Sequence, residues 1–261
     1  PEGALRFAEL YTLAEGIAKQ LADAGIHEGD TVALALPNSL SFVPAFLALW
    51  RRSATIALIS PKYRESELLS IVEGVRPRCF LTTTGLARMF NALPVANTAA
   101  VSYPDGTDEL ILLFISYPAE APARLPATAA MVKFTSGSTG TPKGIAVTVD
   151  NVIAEAENVV HTLALSAEDR ILAPVPIFHS YGFDLGVLSM LYGGAHLSVR
   201  DAFVPRRLLA DLAAPEISIF LGVPSMYHIL VETLLPSVPD LAHVRYLLSC
   251  TAPLQPELIA A

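Results

Sequence analysis

Residues 135–144 read Thr-Ser-Gly-Ser-Thr-Gly-Thr-Pro-Lys-Gly, ten positions that hold five hydroxyl side chains, three glycines, a proline and a lysine in a chain that is 52% hydrophobic. Glycines let a backbone turn its N–H groups inward, hydroxyls add donors and lysine adds positive charge, so together they can clamp a polyphosphate. The order of residues rules out two familiar phosphate sites. A Walker A loop needs a hydroxyl residue straight after its lysine to hold Mg²⁺, and here Gly144 follows Lys143. No G-x-G-x-x-G follows a strand-like run either. A plain flexible turn shares the composition and stays the alternative on that evidence alone. The flanking runs AMVKF and GIAVTV are both strand-like, which predicts a loop held between two rigid strands rather than a linker.

A second candidate is His179, in the run PIFHSYGF (176–183) between a strand-like stretch and an apolar helical one. A histidine there either faces a substrate or is a hydrogen-bonded structural residue. The other histidines, His27, His161, His196, His228 and His243, show no ligand spacing, and H-E-x-x-H, C-x-x-C and G-x-S-x-G are absent from the sequence. Cys79 and Cys250 are too far apart in sequence to suggest a disulfide framework, which fits a reducing, cytoplasmic compartment.

These residues need rigid elements to position them, and the chain supplies a repeating pattern. Leu10, Leu13, Ile17 and Leu21 recur at helical spacing before Gly25, predicting an amphipathic helix over 7–24. Strands are expected at 31–36, 55–60, 79–83, 171–175, 195–199, 217–222 and 244–250, with helices near 39–51, 65–75, 151–164, 183–192, 205–213 and 225–235. The strand-like runs lack polar alternation, as parallel strands buried on both faces should. The pattern therefore predicts an α/β fold with two mainly parallel sheets and flanking helices. The Pro- and Ala-rich stretch 117–129 reads as a surface connection.

A net charge of −8 with 17 scattered Lys and Arg residues argues against nucleic acid and anionic membrane as partners. The long uncharged run 31–50 is broken by Pro37, Asn38, Ser39, Ser41 and Pro44, so it reads as strand, turn and helix rather than an integral membrane span. No basic-then-apolar leader is visible after Pro1, although an upstream segment could have been removed. The chain stops at PELIAA, just inside an expected helix, which suggests a truncated chain. Exposed apolar surface would then favour self-association, including a homo-oligomer.

The ordered run Phe-Thr-Ser-Gly-Ser-Thr-Gly-Thr-Pro-Lys-Gly (134–144) closely resembles the phosphate loop of the adenylate-forming superfamily, which holds acyl- and aryl-CoA synthetases, luciferases and peptide-synthetase adenylation domains. The resemblance extends over nearly the whole chain, through GDTVALALPNS (29–39), PKYRESEL (61–68), PIFHSYGF, GVPSMY (222–227) and SCTAPL (249–254). It implies that Thr135, Ser136, Gly137, Ser138, Thr139, Gly140, Thr141 and Lys143 grip the ATP phosphates, with Thr139 the candidate to meet Mg²⁺ by way of Mg·ATP. It implies that His179, Tyr181, Met226 and Tyr227 border the carboxylic acid, with aromatic core packing the alternative for Tyr181. It places Thr251, Ala252 and Pro253 against adenine, although Cys250 and Thr251 stand where relatives carry glycines. Asp150, in TVDN, is expected to cap a helix. The implied reaction joins an aryl or fatty carboxylic acid to AMP with release of pyrophosphate, then passes the acyl group to coenzyme A or a phosphopantetheine on an acyl carrier protein. The family's magnesium glutamate, ribose aspartate and C-terminal lysine motifs do not occur by residue 261, so the chain is expected to be an N-terminal core without the lid domain and inactive alone. Its lobes are expected at about 28–165 and 166–261, with residues 1–27 packing on the second lobe. Three rivals remain: an amino-acid adenylation domain, disfavoured because His179-Ser180 replaces that group's Phe-Asp; a nucleotide-binding pseudoenzyme; and a non-binding scaffold.

Overall fold

The computed structural model describes residues 3–103, 109–117, 125–135, 142–234 and 239–260. It divides into two compact units, one running to Val152 and one from Ile153 onward.

The first unit opens with α1 (Phe7–Asp23), followed by β1 (Thr31–Leu34), α2 (Phe42–Arg51), β2 (Thr55–Leu58), α3 (Glu65–Val75) and β3 (Cys79–Thr83). After a 3₁₀ turn at Ala87–Phe90 come β4 (Val95–Ser102), β5 (Glu109–Ile115), β6 (Met131–Thr135) and β7 (Lys143–Val147). The strands form one sheet in the order β4-β5-β3-β1-β2-β6-β7. Strands β3, β1, β2 and β6 are parallel, while β5, β4 and β7 run antiparallel to their neighbours at the two edges. The parallel strands are buried on both faces. Ala33, Ala57, Ile59 and Phe80 pack with Leu68, Ile71, Val72 and Val75 of α3, and the alternate residues Val32, Leu34, Ile56 and Leu58 are equally buried. Helices α1 and α3 begin alike: Glu9 and Glu67 accept from the backbone N–H groups of Arg6 and Arg64, three residues earlier, satisfying an amide the helix leaves over.

The expected position of residues 1–27 on the second lobe is corrected here. Helix α1 belongs to the first unit and lies against α2 and β4, where Gln20 exchanges two hydrogen bonds with the backbone of Ser102. Amphipathicity announced a buried face on α1, but α2, which is apolar nearly all round, supplies the surface that covers it. The division between the units falls inside α4 (Val149–Thr162) rather than at 165/166.

The second unit continues from α4 into β8 (Arg170–Ala173), α5 (Ser180–Gly182), a π-helical stretch at Phe183–Leu188 and α6 (Ser189–Gly193). It ends with β9 (His196–Val199), α7 (Pro205–Leu212), β10 (Ile219–Gly222), α8 (Pro224–Leu234), β11 (Tyr246–Ser249) and α9 (Pro256–Ala260). Its four strands are all parallel, in the order β11-β10-β8-β9. The pleat splits their side chains cleanly. Ile171, Ala173, Ile219 and Leu221 face a cluster that includes Tyr181 and Ala195, whereas Leu172 and Phe220 face Leu208, Leu212 and Leu230 of α7 and α8.

Candidate functional site

In the first unit the polar loop springs from the β6–β7 hairpin, whose last cross-strand pair is Thr135 with Lys143. Residues Ser136, Gly137, Ser138, Thr139, Gly140 and Thr141 lie outside the described residues. At the loop's anchors, both Thr135 and Lys143 are exposed, and Lys143 makes no ion pair among the described residues. Glycine after the lysine has a steric reason. Gly144 pairs with Phe134, and a Cβ there would come within 3.1 Å of the Phe134 ring and 3.0 Å of the Val132 side chain. After β7, α4 starts with a reciprocal cap: the Asn151 amide donates to Thr148 Oγ1 (3.2 Å) and the Thr148 amide to Asn151 Oδ1 (3.1 Å). Asp150, expected to be the cap, instead occupies the first helical turn, where its charge favours the helix N-terminus.

In the second unit the candidates gather on one edge of the parallel sheet. His179 follows β8, Met226 and Tyr227 follow β10, and Thr251, Ala252 and Pro253 follow β11, so all lie beyond strand carboxyl ends. The chain leaves β8 toward β9 on one side and leaves β10 toward β11 on the other, which makes the gap between β8 and β10 the topological switch point where open parallel sheets bind ligands. His179 is exposed and precedes α5. Its amide bonds the Pro176 carbonyl (3.2 Å), and its carbonyl accepts from the Phe183 amide (2.8 Å). The turn closes so tightly that a Cβ at Gly182 would lie 2.4 Å from the Pro176 carbonyl oxygen.

Tyr181 is 8% exposed, Tyr227 is half-buried, and their hydroxyls donate to the same acceptor, the Leu248 carbonyl, at 3.0 and 2.6 Å. Burial pushes both phenols well above the ordinary tyrosine range, Cys250 adding to the shift at Tyr181 and Tyr181 to that at Tyr227, so both stay protonated donors. Met226 is half-buried against the apolar cluster around Tyr181. Thr251, Ala252 and Pro253 are exposed, and Thr251 holds φ at +77°, a left-handed value that a β-branched residue adopts only under constraint. The hydroxyl of Ser249 is buried with no hydrogen-bond partner among the described residues. Among the described residues no three His, Cys, Asp or Glu side chains converge on a metal position. The tyrosine–carbonyl convergence escaped the sequence reading, because Tyr181 and Tyr227 stand 67 and 21 residues from their shared acceptor.

The opposite, amino edge of the same sheet is held by charge. Asp169, Ser218 and Arg245 are the residues immediately before β8, β10 and β11, and the Asp169 carboxylate gathers Arg245 Nη1 (2.5 Å), Ser218 Oγ (2.8 Å) and the Ser166 amide (2.9 Å). Burial raises the Asp169 pKa, but these donors outweigh it and leave the carboxyl below its ordinary value.

A sequence model described as AMP-binding enzyme matches residues 2–261. Among curated relatives, the oxalate–CoA ligase of Arabidopsis thaliana is 29% identical, with 98% of this chain matching 52% of that protein. The 4-coumarate–CoA ligase of Pinus taeda is 24% identical over 97% of this chain and 49% of its own length. The chain thus spans about half the length of the curated relatives it matches. Among solved structures, the inhibitor-bound N-terminal domain of FACL13 from Mycobacterium tuberculosis shares the fold with a TM-score of 0.80 at 24% identity, covering 98% of this chain and 65% of that one. The AMP complex of O-succinylbenzoate coenzyme A synthetase from Bacillus subtilis gives a TM-score of 0.75 at 22% identity, over all of this chain and 65% of that one.

Proposed function

Because the chain belongs to the AMP-binding enzyme family, we propose that it carries the nucleotide- and acid-binding part of a carboxylate ligase. The reaction joins an aryl or fatty carboxylate to the α-phosphorus of Mg·ATP, forming an acyl-adenylate and releasing pyrophosphate; a thiol then attacks the acyl carbon and displaces AMP. Coenzyme A is the favoured thiol, since the relatives named above are CoA ligases, with a carrier-protein phosphopantetheine the other acceptor of the same chemistry.

The observation that carries this reading is the hairpin. Its closing pair, Thr135 with Lys143, leaves seven intervening positions of the polar run between two fixed strand ends, with an exposed cation at the exit that has no ion-pair partner among the described residues. In the proposed mechanism Ser136 through Thr141 would hold the β- and γ-phosphates, and Lys143 would offset the charge that moves onto departing pyrophosphate. Mg²⁺ would enter as Mg·ATP and supply charge neutralisation, and Thr139 is the proposed hydroxyl ligand. Across the carboxyl edge of the second sheet, His179 and Met226 border the acid, and Tyr181 and Tyr227 contribute ring surface because their hydroxyls are already engaged. A carboxylic acid is ionised at neutral pH, so His179 orients rather than deprotonates it. Thr251, Ala252 and Pro253 lie along adenine.

The test is carboxylate-dependent exchange of labelled pyrophosphate into ATP by the full-length protein, over a panel of aryl, short and long acids. Exchange is expected with at least one acid, and Lys143→Ala should lower it by about 100-fold or more while shifting stability by less than about 0.5 kcal/mol. Exchange in Lys143→Ala equal to wild type removes the lysine from the mechanism. ATP binding without exchange for any acid makes the protein a pseudoenzyme, and no Lys143-dependent ATP affinity makes it a scaffold.

A further inference from the structure

We propose that Tyr181 and Tyr227 are positioning residues that hold the turn at 249–253 in its conformation by fixing the Leu248 carbonyl, a role separate from any contact with the acid. The proposal rests on the reading above only for what the turn touches, namely the adenine end of ATP.

Three neighbouring strand ends meet at this point. Tyr181 comes from α5, beyond β8, and Tyr227 from α8, beyond β10; both hydroxyls end on a carbonyl of β11. A carbonyl oxygen can accept more than one hydrogen bond, and here two phenols donate to the same one. The arrangement has its own supports. The Tyr227 ring stands edge-on to Phe220 with centroids 5.6 Å apart. It also fills the space beside Gly222, where a Cβ would lie 2.7 Å from Tyr227 Cε2.

The backbone beyond Leu248 needs such a hold. Ser249 pairs in register with Gly222, and two residues later Thr251 sits at φ +77°. A residue in that region persists only where its surroundings over-determine the backbone. β11 has a strand neighbour on one side only among the described residues, so sheet pairing constrains it less than it constrains β10. Two hydroxyls on the last carbonyl but one supply the missing constraint. The adenine-facing turn is then preorganised, and ATP does not have to order it on binding.

The molecule contains its own reporter. Cys250 is exposed and lies inside the turn, whereas Cys79 is buried, so thiol alkylation under native conditions reads the turn. Tyr181→Phe, Tyr227→Phe and the double variant keep both rings and remove only the hydroxyls. In the full-length protein the double variant should alkylate Cys250 several-fold faster or slower than wild type without any substrate. It should also raise the KM for ATP by about tenfold, the effect of losing roughly one net hydrogen bond's free energy, with the KM for the acid within about twofold. If the double variant does not fold, the single variants, each leaving one donor on Leu248, should show the same effects at smaller size. Unchanged Cys250 reactivity in folded variants overturns the proposal, and so does a rise in the KM for the acid in place of that for ATP. A wild-type protein that exchanges no pyrophosphate overturns the ligase reading instead, and the alkylation rates still decide the clamp.

Discussion

His179 combines two properties that rarely coincide in a structural histidine: its backbone is pinned at both N–H and C=O inside a tight turn, while its side chain is exposed at a sheet's carboxyl edge. A rigidly mounted, solvent-facing imidazole suits alignment of an anionic reactant. His179→Ala should therefore lower kcat/KM for the acid by roughly 10- to 100-fold and leave ATP affinity within about twofold, measured by pyrophosphate exchange at varied acid and varied ATP. If the variant loses only thermal stability, with unchanged kinetics of its folded fraction, His179 is structural. Position 179 was singled out by its motif and Lys143 by the order of its loop, and both side chains are exposed, His179 beyond β8 and Lys143 at the start of β7. The acceptor shared by Tyr181 and Tyr227 was not legible, because a backbone carbonyl carries no residue-type signal. Nor was the left-handed backbone of Thr251, since a β-branched residue signals extended structure rather than φ > 0.

Elements with two buried faces were the easiest to read. The runs at β1, β2, β3, β8 and β10 are apolar without alternation because helices cover both sides of a parallel sheet, and their observed bounds differ from expectation by a few residues at most. β4 was missed, since VANTAAVS is an edge strand mostly exposed to solvent and so has no reason to be apolar. β5 was missed despite its apolar run ELILLFI, which was the available signal. The π-helical stretch was read as ordinary helix, because periodicity in six residues does not distinguish the two. At this scale the charged cluster at the amino edge of the second sheet sets a pH dependence. The Asp169 carboxyl titrates below its unfolded value, so the stability it contributes is complete above about pH 4 and is lost as pH falls through the lower folded value. Arg245→Met should cost about 1–3 kcal/mol at neutral pH, toward the low end because Arg245 is 41% exposed and partly screened. Urea titrations at pH 7 and pH 3 should show the gap between variant and wild type shrinking at the lower pH; a gap constant with pH removes the ion pair as its origin.

The α/β class with two largely parallel sheets was read correctly, whereas the partner of α1 was not, because an amphipathic face reports that something covers it but not what. The units carry one thiol each, which lets them be followed separately. Burial in β3 pushes the Cys79 thiol up to about 12, the nearby Arg78 only partly opposing it, so Cys79 is both inaccessible and unreactive in the folded first unit. Of Cys79 and Cys250, only Cys250 should react with a disulfide reagent under native conditions, with Cys79 reacting only at denaturant concentrations that open the seven-stranded sheet; native reaction of both at similar rates contradicts the burial of β3. The tight turn after β8 bears on descent as well as on folding. Every amino acid but one brings a Cβ to position 182, where it would meet main chain that cannot step aside, so a missense change at that codon should be lost to misfolding before any effect on chemistry is felt. His179, three residues upstream, is exposed and meets no such barrier, so its side chain can be exchanged while the loop that presents it stays fixed.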